Sequence, residues 1–332
     1  MKDIQYCILD IKVVMEEDSK LSKHKSLMLA GALINEVSKV YCVNNNNCTS
    51  CFQFKNCFIQ KILGGNYKGN LPVIVQSESI YSNICIVCDE YNTNYKKGDT
   101  LKFSIYLYND ANFFSSQLIY FIELMGEKGI GKNRCKFKLD EILNDECKVI
   151  YKENQFFEEN LQPYSIKKYI DKRLNQINGV NKLVFVSPFY TEYFELFNAS
   201  SFNSAIISYC IAKRLNSLNA LEKEDVKKLK NLELEKNLIN RYDFKLTTRK
   251  YPLKKLSKSI KIYSYNKECC TLKLPQVCKF NYYIKSFLGN VEFHSKIKQY
   301  VNYLIAGEKL LIGCRNLIGF GKYVLKEDRL NE

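Results

Sequence analysis

The chain has no tryptophan, two histidines and five prolines in 332 residues. With only His24 and His294 available, a site assembled from several histidines is excluded. No apolar run reaches the roughly 20 residues that a membrane-spanning helix needs. The N-terminal stretch MKDIQYCILDIKVVMEEDSK carries Asp3 and Asp10 within its apolar segment, unlike a signal or transit peptide. No membrane partner is therefore expected, and a cytoplasmic location is. Cysteine, 14 of 332 residues, is too sparse for a disulfide scaffold. In a reducing compartment these cysteines are expected as thiols or metal ligands.

What is present is ordinary for a folded chain: 46% hydrophobic and 26% charged residues exclude a disordered polymer. The length suggests about two domains. Fifty Lys and Arg against thirty-five Asp and Glu leave a formal charge of +15. Such an excess favours a polyanionic partner, either nucleic acid or an acidic membrane surface. Beside those cations, 24 Tyr and 20 Phe serve equally as core material and as base-stacking faces.

Hydrophobic periodicity divides the chain into two similar halves. Residues 5–15 read as a strand. Leu27, Ala30, Leu33, Ile34, Val37, Val40 and Tyr41 recur at three- and four-residue steps, an amphipathic helix with Ser26 as its expected N-cap. A polar insertion of about 42–70 holds Cys42, Cys48, Cys51 and Cys57. Strands are expected at 73–80, 84–88 and 101–108, a helix at about 113–125 ending on Gly126, and a strand at 134–139. Residues 151–181 read as a connector or edge helix. The second half, 182–332, repeats the plan: a strand at 182–190, a helix at 203–219, a charged helix at 222–238, strands between 242 and 293, a helix at about 295–305 and a strand at 321–325. Helix, glycine loop and strand close both halves, as Gly126–Lys132 and as Gly313–Lys322, each containing Gly-[Ile/Phe]-Gly-Lys. The expected fold is α+β, with tandem ferredoxin-like (RRM-like) βαββαβ domains at 1–150 and 182–332.

Gly313, Gly319 and Gly321 permit positive φ and close backbone approach, and exposed N–H groups in such a loop form an anion site. Arg315, Asn316, Phe320 and Lys322 would add polar, cationic and stacking groups. The loop is no Walker motif, since it lacks the GK[ST] ending and precedes a strand. A phosphate-backbone clamp and a tight turn needing glycine for geometry alone both remain open. The stretch Arg249–Lys261, with Lys254 and Lys255, reads equally as an RNA groove and as a strand edge guarded by lysine.

Several motifs occur here in a shared order. GCRNLIGFGKY at 313–323 closes the chain. LMLAGALINEVSKV at 27–40 precedes the four cysteines, and LPVIVQSE at 71–78, KGDTLKF at 97–103 and the loop at 126–134 follow. In this order the chain resembles the CRISPR-associated repeat-RNA-processing endoribonucleases of the RAMP superfamily. It departs in having Ala30, where members often have arginine, before the glycine of the first helix. The resemblance implies an enzyme that cuts the repeat RNA of a long precursor to release guide RNAs, with no catalytic metal. A 2′-hydroxyl attacks the adjacent phosphate and leaves a 2′,3′-cyclic phosphate and a 5′-hydroxyl. Other CRISPR effector subunits are candidate partners. The alternative is a noncatalytic RNA-binding RAMP subunit of an effector complex.

That chemistry needs a base, an acid and a cation. Histidine, with an unperturbed pKa of about 6.5, suits it. His24 is the candidate, placed before the first helix where N–H groups attract phosphate. Lys23 and Lys25 flank it as candidate phosphate ligands; the competing reading is a surface histidine in a basic loop. His294 reads as structural. Cys42, Cys48, Cys51 and Cys57 can encircle a tetrahedral Zn²⁺, with structural rather than catalytic effect. An iron–sulfur cluster and plain reduced thiols are the alternatives. Cys85 and Cys88, three apart in a strand, should face opposite sides and share no metal.

Overall fold

The computed structural model describes residues 1–63, 82–177, 180–191, 202–234, 239–253, 259–263, 269–273, 280–297 and 300–326. Residues 71–78, Lys254 and Lys255 lie outside these. Two antiparallel sheets organise the chain. The first is nucleated by β1 (Gln5–Met15), at its centre. It pairs with β5 (Thr100–Tyr108) from Tyr6–Tyr108 to Val14–Thr100, and with β6 (Phe137–Leu143) across a bulge at Lys12/Val13. β3 (Ile84–Val87) flanks β5. A short pair, β2 (Ser19–Lys20) and β4 (Asn94–Tyr95), stands apart. Strands β7 (Val149–Lys152) and β8 (Gln155–Phe156) extend the other edge, while β9 (Tyr164–Ser165) pairs with β1.

Alternation explains how one strand serves two cores. Cys7, Leu9, Ile11, Val13 and Met15 face the first core, under α1 (Lys25–Tyr41) and α3 (Ser115–Lys128). The short α2 (Phe58–Leu63) adds to that layer. Tyr6 and Ile8 point the opposite way, into a core shared with the second half. β5 does the same, with Leu101, Phe103, Ile105 and Leu107 on one face and Tyr106 and Tyr108 on the other. Cys85 and Cys88 fall in different cores, as their spacing requires.

The second sheet runs β11 (Ile239–Leu253), β14 (Phe280–Ile297), β10 (Val180–Phe185), β15 (Tyr323–Lys326). A separate hairpin pairs β12 (Ser259–Tyr263) with β13 (Cys269–Lys273). α5 (Ser204–Ser217) and α7 (Val301–Leu310) pack on the second core, and α6 (Lys223–Leu234) packs on α5. Taken in chain order, the strands around α1 and α3 and those around α5 and α7 follow the same sequence: second, third, first, fourth.

Three local expectations change. The N-cap of α1 is His24, not Ser26. Gly126 lies inside α3, where a Cβ would meet the Phe137 carbonyl oxygen at 2.2 Å; Gly129 is the C-cap. The stretch 151–181, expected as a connector or edge helix, carries β8, β9 and α4 (Ile166–Leu174). His294 lies within β14, and the following helix starts at Val301 rather than about 295.

Arg214 fastens the halves. Fully buried on α5, it donates from Nε to the Leu310 carbonyl (2.8 Å) and from Nη1 to the Ser82 carbonyl (2.9 Å). Its guanidinium lies 4.8 Å from the Tyr108 ring centre. Each hydrogen bond to a charged group is worth about 1.5–3 kcal/mol, which helps to offset the desolvation of the buried cation.

Candidate active site

The seventeen-residue helix α1 has no side chain capping its N-terminus and no acidic residue in its first turn. Its positive end is thus uncompensated by carboxylates of that turn, a setting that favours an anion. His24 sits at this end, its backbone extended at φ −109°, ψ 98°. The Ser22 hydroxyl donates to the His24 carbonyl (2.9 Å). The imidazole stands edge-on to the Tyr91 ring, with centroids 5.8 Å apart. Lys20 and Lys23 are exposed nearby in sequence.

Both glycine loops reach this helix end. Gly131 lies against Leu21 and Met28, and a Cβ on Gly319 would stand 3.2 Å from the Ser26 hydroxyl and 2.5 Å from the Ile86 carbonyl oxygen. Ser26 itself accepts from the Cys88 N–H (3.0 Å). A crevice results, lined by His24, Ser26, Asp89 and Tyr91 from the first half and by Ser187, Pro188 and Gly319 from the second.

Lys322 closes one side. Its N–H donates to the Ser187 hydroxyl (2.9 Å) and its Nζ contacts Asp89 (3.4 Å). Burial works against the charge on Lys322, but Tyr106 and Asp89 outweigh it and hold its pKa above the ordinary lysine value. Burial pushes the Tyr106 hydroxyl up to about 12.

Several expected RNA ligands are placed elsewhere. Lys25 is fully buried: its Nζ donates to the carbonyls of Glu90 (3.0 Å) and Asn92, and lies 5.3 Å from the Tyr95 ring centre. Burial holds its pKa below the usual lysine value. It anchors the loop at 88–95 rather than offering charge to solvent. Arg315 is 1% exposed, stacked 4.9 Å from the Tyr190 ring centre, and burial lowers its pKa to about 9. Asn316 is buried and donates to the Leu311 carbonyl (2.6 Å). Phe320 packs into the first core with Leu317 and Ile318. Lys25, Arg315 and Asn316 thus turn inward, Lys25 under the loop at 88–95 and the other two within the C-terminal loop, while Phe320, packed in the first core, also lines the crevice. Gly313 likewise serves close packing, its absent Cβ leaving room for the Phe189 ring and the Tyr190 carbonyl. Gly321 has φ +84°, with the Ile312 carbonyl only 1.7 Å from where a Cβ would be.

Tyr91, Asp89 and Ser187 were not legible as site residues. The one hint for Asp89 and Tyr91 is position, directly after the strand ending at Val87. Lys132 and Arg134 are exposed on the loop that Gly131 seats against Met28. Cys42, Cys48, Cys51 and Cys57 all line one separate cavity. As placed, no three histidine, cysteine or acidic side chains among the described residues are positioned to hold an ion. Among the described residues, no helix is long and apolar enough to cross a membrane.

A family model described as an N-terminal domain, AF_1859_N, matches residues 4–165, the span of the first sheet. No curated protein matches the chain. Among solved structures, a partial Cas6-RT-Cas1–Cas2 complex aligns over 98% of this chain and 46% of that one, at 12% identity and a TM-score of 0.57. The Cas6-RT-Cas1–Cas2 complex aligns at the same identity and TM-score over 98% of this chain and 29% of that one. The chain thus spans less than half of either. A Cas6 product complex from Thermus thermophilus aligns over 97% of this chain and all of that one, at 10% identity and a TM-score of 0.50. At such identities the likeness is one of fold: mixed α+β, built on antiparallel sheets, as in these Cas6 structures.

Proposed function

We propose that this chain is a CRISPR precursor-RNA-processing endoribonuclease built from two ferredoxin-like domains, with the cysteine-bearing segment inserted in the first. The strand order shared by the two sheets supports the fold reading. The observation that carries the functional reading is the crevice at the N-terminus of α1, where His24 meets the C-terminal glycine loop.

A repeat RNA would lay its scissile phosphate on the helix end, beside Lys23 and, from the second loop, Lys322. His24 takes the proton from the ribose 2′-hydroxyl. The oxygen attacks the adjacent phosphorus, the bond from phosphorus to the 5′-oxygen breaks, and that oxygen leaves protonated. The products are a 2′,3′-cyclic phosphate and a 5′-hydroxyl. Tyr91, edge-on to His24, is the neighbouring hydroxyl for proton exchange with the leaving oxygen. The helix end and the lysines stabilise charge on the phosphorane.

The test is cleavage of repeat RNA in EDTA by the parent and by His24→Ala. The expected loss is about 10²- to 10⁴-fold in rate with binding retained. A 2′-deoxy substitution at the scissile nucleotide should abolish cleavage by the parent. Equal cleavage by parent and variant removes His24 from the mechanism. Tight binding without cleavage by the parent replaces the enzyme with a noncatalytic RNA-binding subunit.

A further inference from the structure

We infer that Cys42, Cys48, Cys51 and Cys57 bind one Zn²⁺ in a closed, all-sulfur site that folds residues 42–57 into a lobe at the C-terminal end of α1. This is independent of RNA cleavage. Each cysteine stands at the boundary of a helical element. Cys42 is the C-cap of α1, Cys48 opens the 3₁₀ turn Cys48–Ser50, Cys51 is its C-cap, and Cys57 is the C-cap of the 3₁₀ turn Phe54–Asn56. Side chains three apart on a 3₁₀ turn eclipse one another, so Cys48 and Cys51 project along one edge. The Cys51 N–H donates to the Cys48 carbonyl (3.4 Å), which closes that turn.

All four thiols line one cavity of about 320 Å³, large enough for the side chains to turn inward. Its wall is aromatic: Tyr41 stacks on Phe58 at 4.1 Å, and Phe58 meets Phe114 edge-on at 4.4 Å. No carboxylate or imidazole lines it, and Lys61 is its one charged lining residue. A donor set of sulfur alone selects soft ions such as Zn²⁺ over Mg²⁺ or Ca²⁺. The Asn46 N–H already donates to Cys42 Sγ (3.0 Å). A four-thiolate zinc centre is anionic, and Lys61 supplies the opposite charge.

Val43 and Phe52 are 66% and 84% exposed, and the lobe touches the first core through Cys42, Cys48 and Cys57. As placed the sulfurs do not converge, so zinc would have to draw them together as it binds. Four protein ligands would fill the tetrahedral shell, so the site holds structure rather than performing chemistry.

The test is metal analysis of untagged protein grown in zinc-containing medium and purified anaerobically with reductant. One zinc per chain is expected. It should be lost from the Cys48→Ser/Cys51→Ser variant and kept in Cys147→Ser, whose cysteine is exposed elsewhere. Should the double variant fail to fold, the parent answers alone: a thiol-blocking mercurial should release the zinc, and proteolysis after release should begin within 42–57. Absence of stoichiometric zinc from the parent overturns the proposal. So does iron with sulfide, or zinc that survives in the double variant.

Discussion

Gly129-Ile130-Gly131-Lys132 and Gly319-Phe320-Gly321-Lys322 share φ between +73° and +84° at all four glycines, but ψ is 148° at Gly129 and 19° at Gly319. Their surroundings differ. The first loop closes on itself: Ile130 and Cys135 exchange backbone hydrogen bonds of 2.8 and 2.9 Å, and Lys132 and Arg134 stand in solvent. The second is held by others. Gly321 donates to the Pro188 carbonyl (2.8 Å), Cys314 to the Tyr190 carbonyl (2.8 Å), and Phe320 is inserted in the core of the first half. Two loops of like sequence and like glycine φ therefore make a rim in one half and a wedge between halves in the other. The rim carries the exposed cations Lys132 and Arg134, while the cation Arg315 of the wedge is enclosed.

The sharpest test of this contrast is alanine at the glycine of each loop that touches α1. Gly319→Ala should lose about 3 kcal/mol or more in chemical denaturation, because its new Cβ meets the Ile86 backbone oxygen, which cannot yield. Gly131→Ala should lose only about 1–2 kcal/mol, the cost of positive φ, since its neighbour is the flexible Met28 side chain. Equal losses would break the distinction between rim and wedge.

RNA binding gives the next test. Replacing Lys132 and Arg134 by serine should each lower the salt-dependence slope of repeat-RNA affinity by about 1 if they contact phosphate. Arg315→Met should leave that slope unchanged and reduce stability instead. A slope change from Arg315 alone would reverse the assignment.

A smaller effect concerns Lys25. Burial lowers its folded-state pKa, so between that value and the unfolded value near 10.5 the unfolded chain binds more protons than the folded one. Its contribution to stability therefore rises with pH through that window. The stability difference between the parent and Lys25→Met, measured by denaturation at successive alkaline pH values, should shift in favour of the parent. A flat difference would show the ammonium is not desolvated. Smallest is Gly31→Ala. Nothing lies within 4 Å of the new Cβ in mid-helix, so a gain of about 0.5–1 kcal/mol is expected, as an open glycine lacking positive φ should give.

Much of the fold was readable. The Ile- and Val-rich stretch 5–15 gives β1 to the residue, and the three- and four-residue steps from Leu27 give α1 within two residues at its start. Those patterns are local and tied to one buried face. The candidate site was readable in part. His24 could be placed at a helix N-terminus because periodicity locates the helix. Lys25, its neighbour, looked the same on paper and is buried, because residues 88–95 fold over it and supply carbonyls. Arg315, Asn316 and Phe320 read as a polar, cationic and aromatic surface, yet all three are buried, Arg315 against Tyr190, Asn316 on the Leu311 carbonyl and Phe320 in the core of the other half. Tyr91 was one tyrosine among 24 until the edge-on contact with His24 singled it out.

The sequence alone determined the charge excess, the strand and helix periods, the positions demanding glycine and the order of the four cysteines, since each depends on residue type and spacing. Only the tertiary structure decided which cations meet solvent, which aromatic ring stands by the imidazole and which glycine loop joins the halves. Those follow from two sheets sharing the back faces of β1 and β5, a contact between residues far apart in the chain that no local pattern encodes.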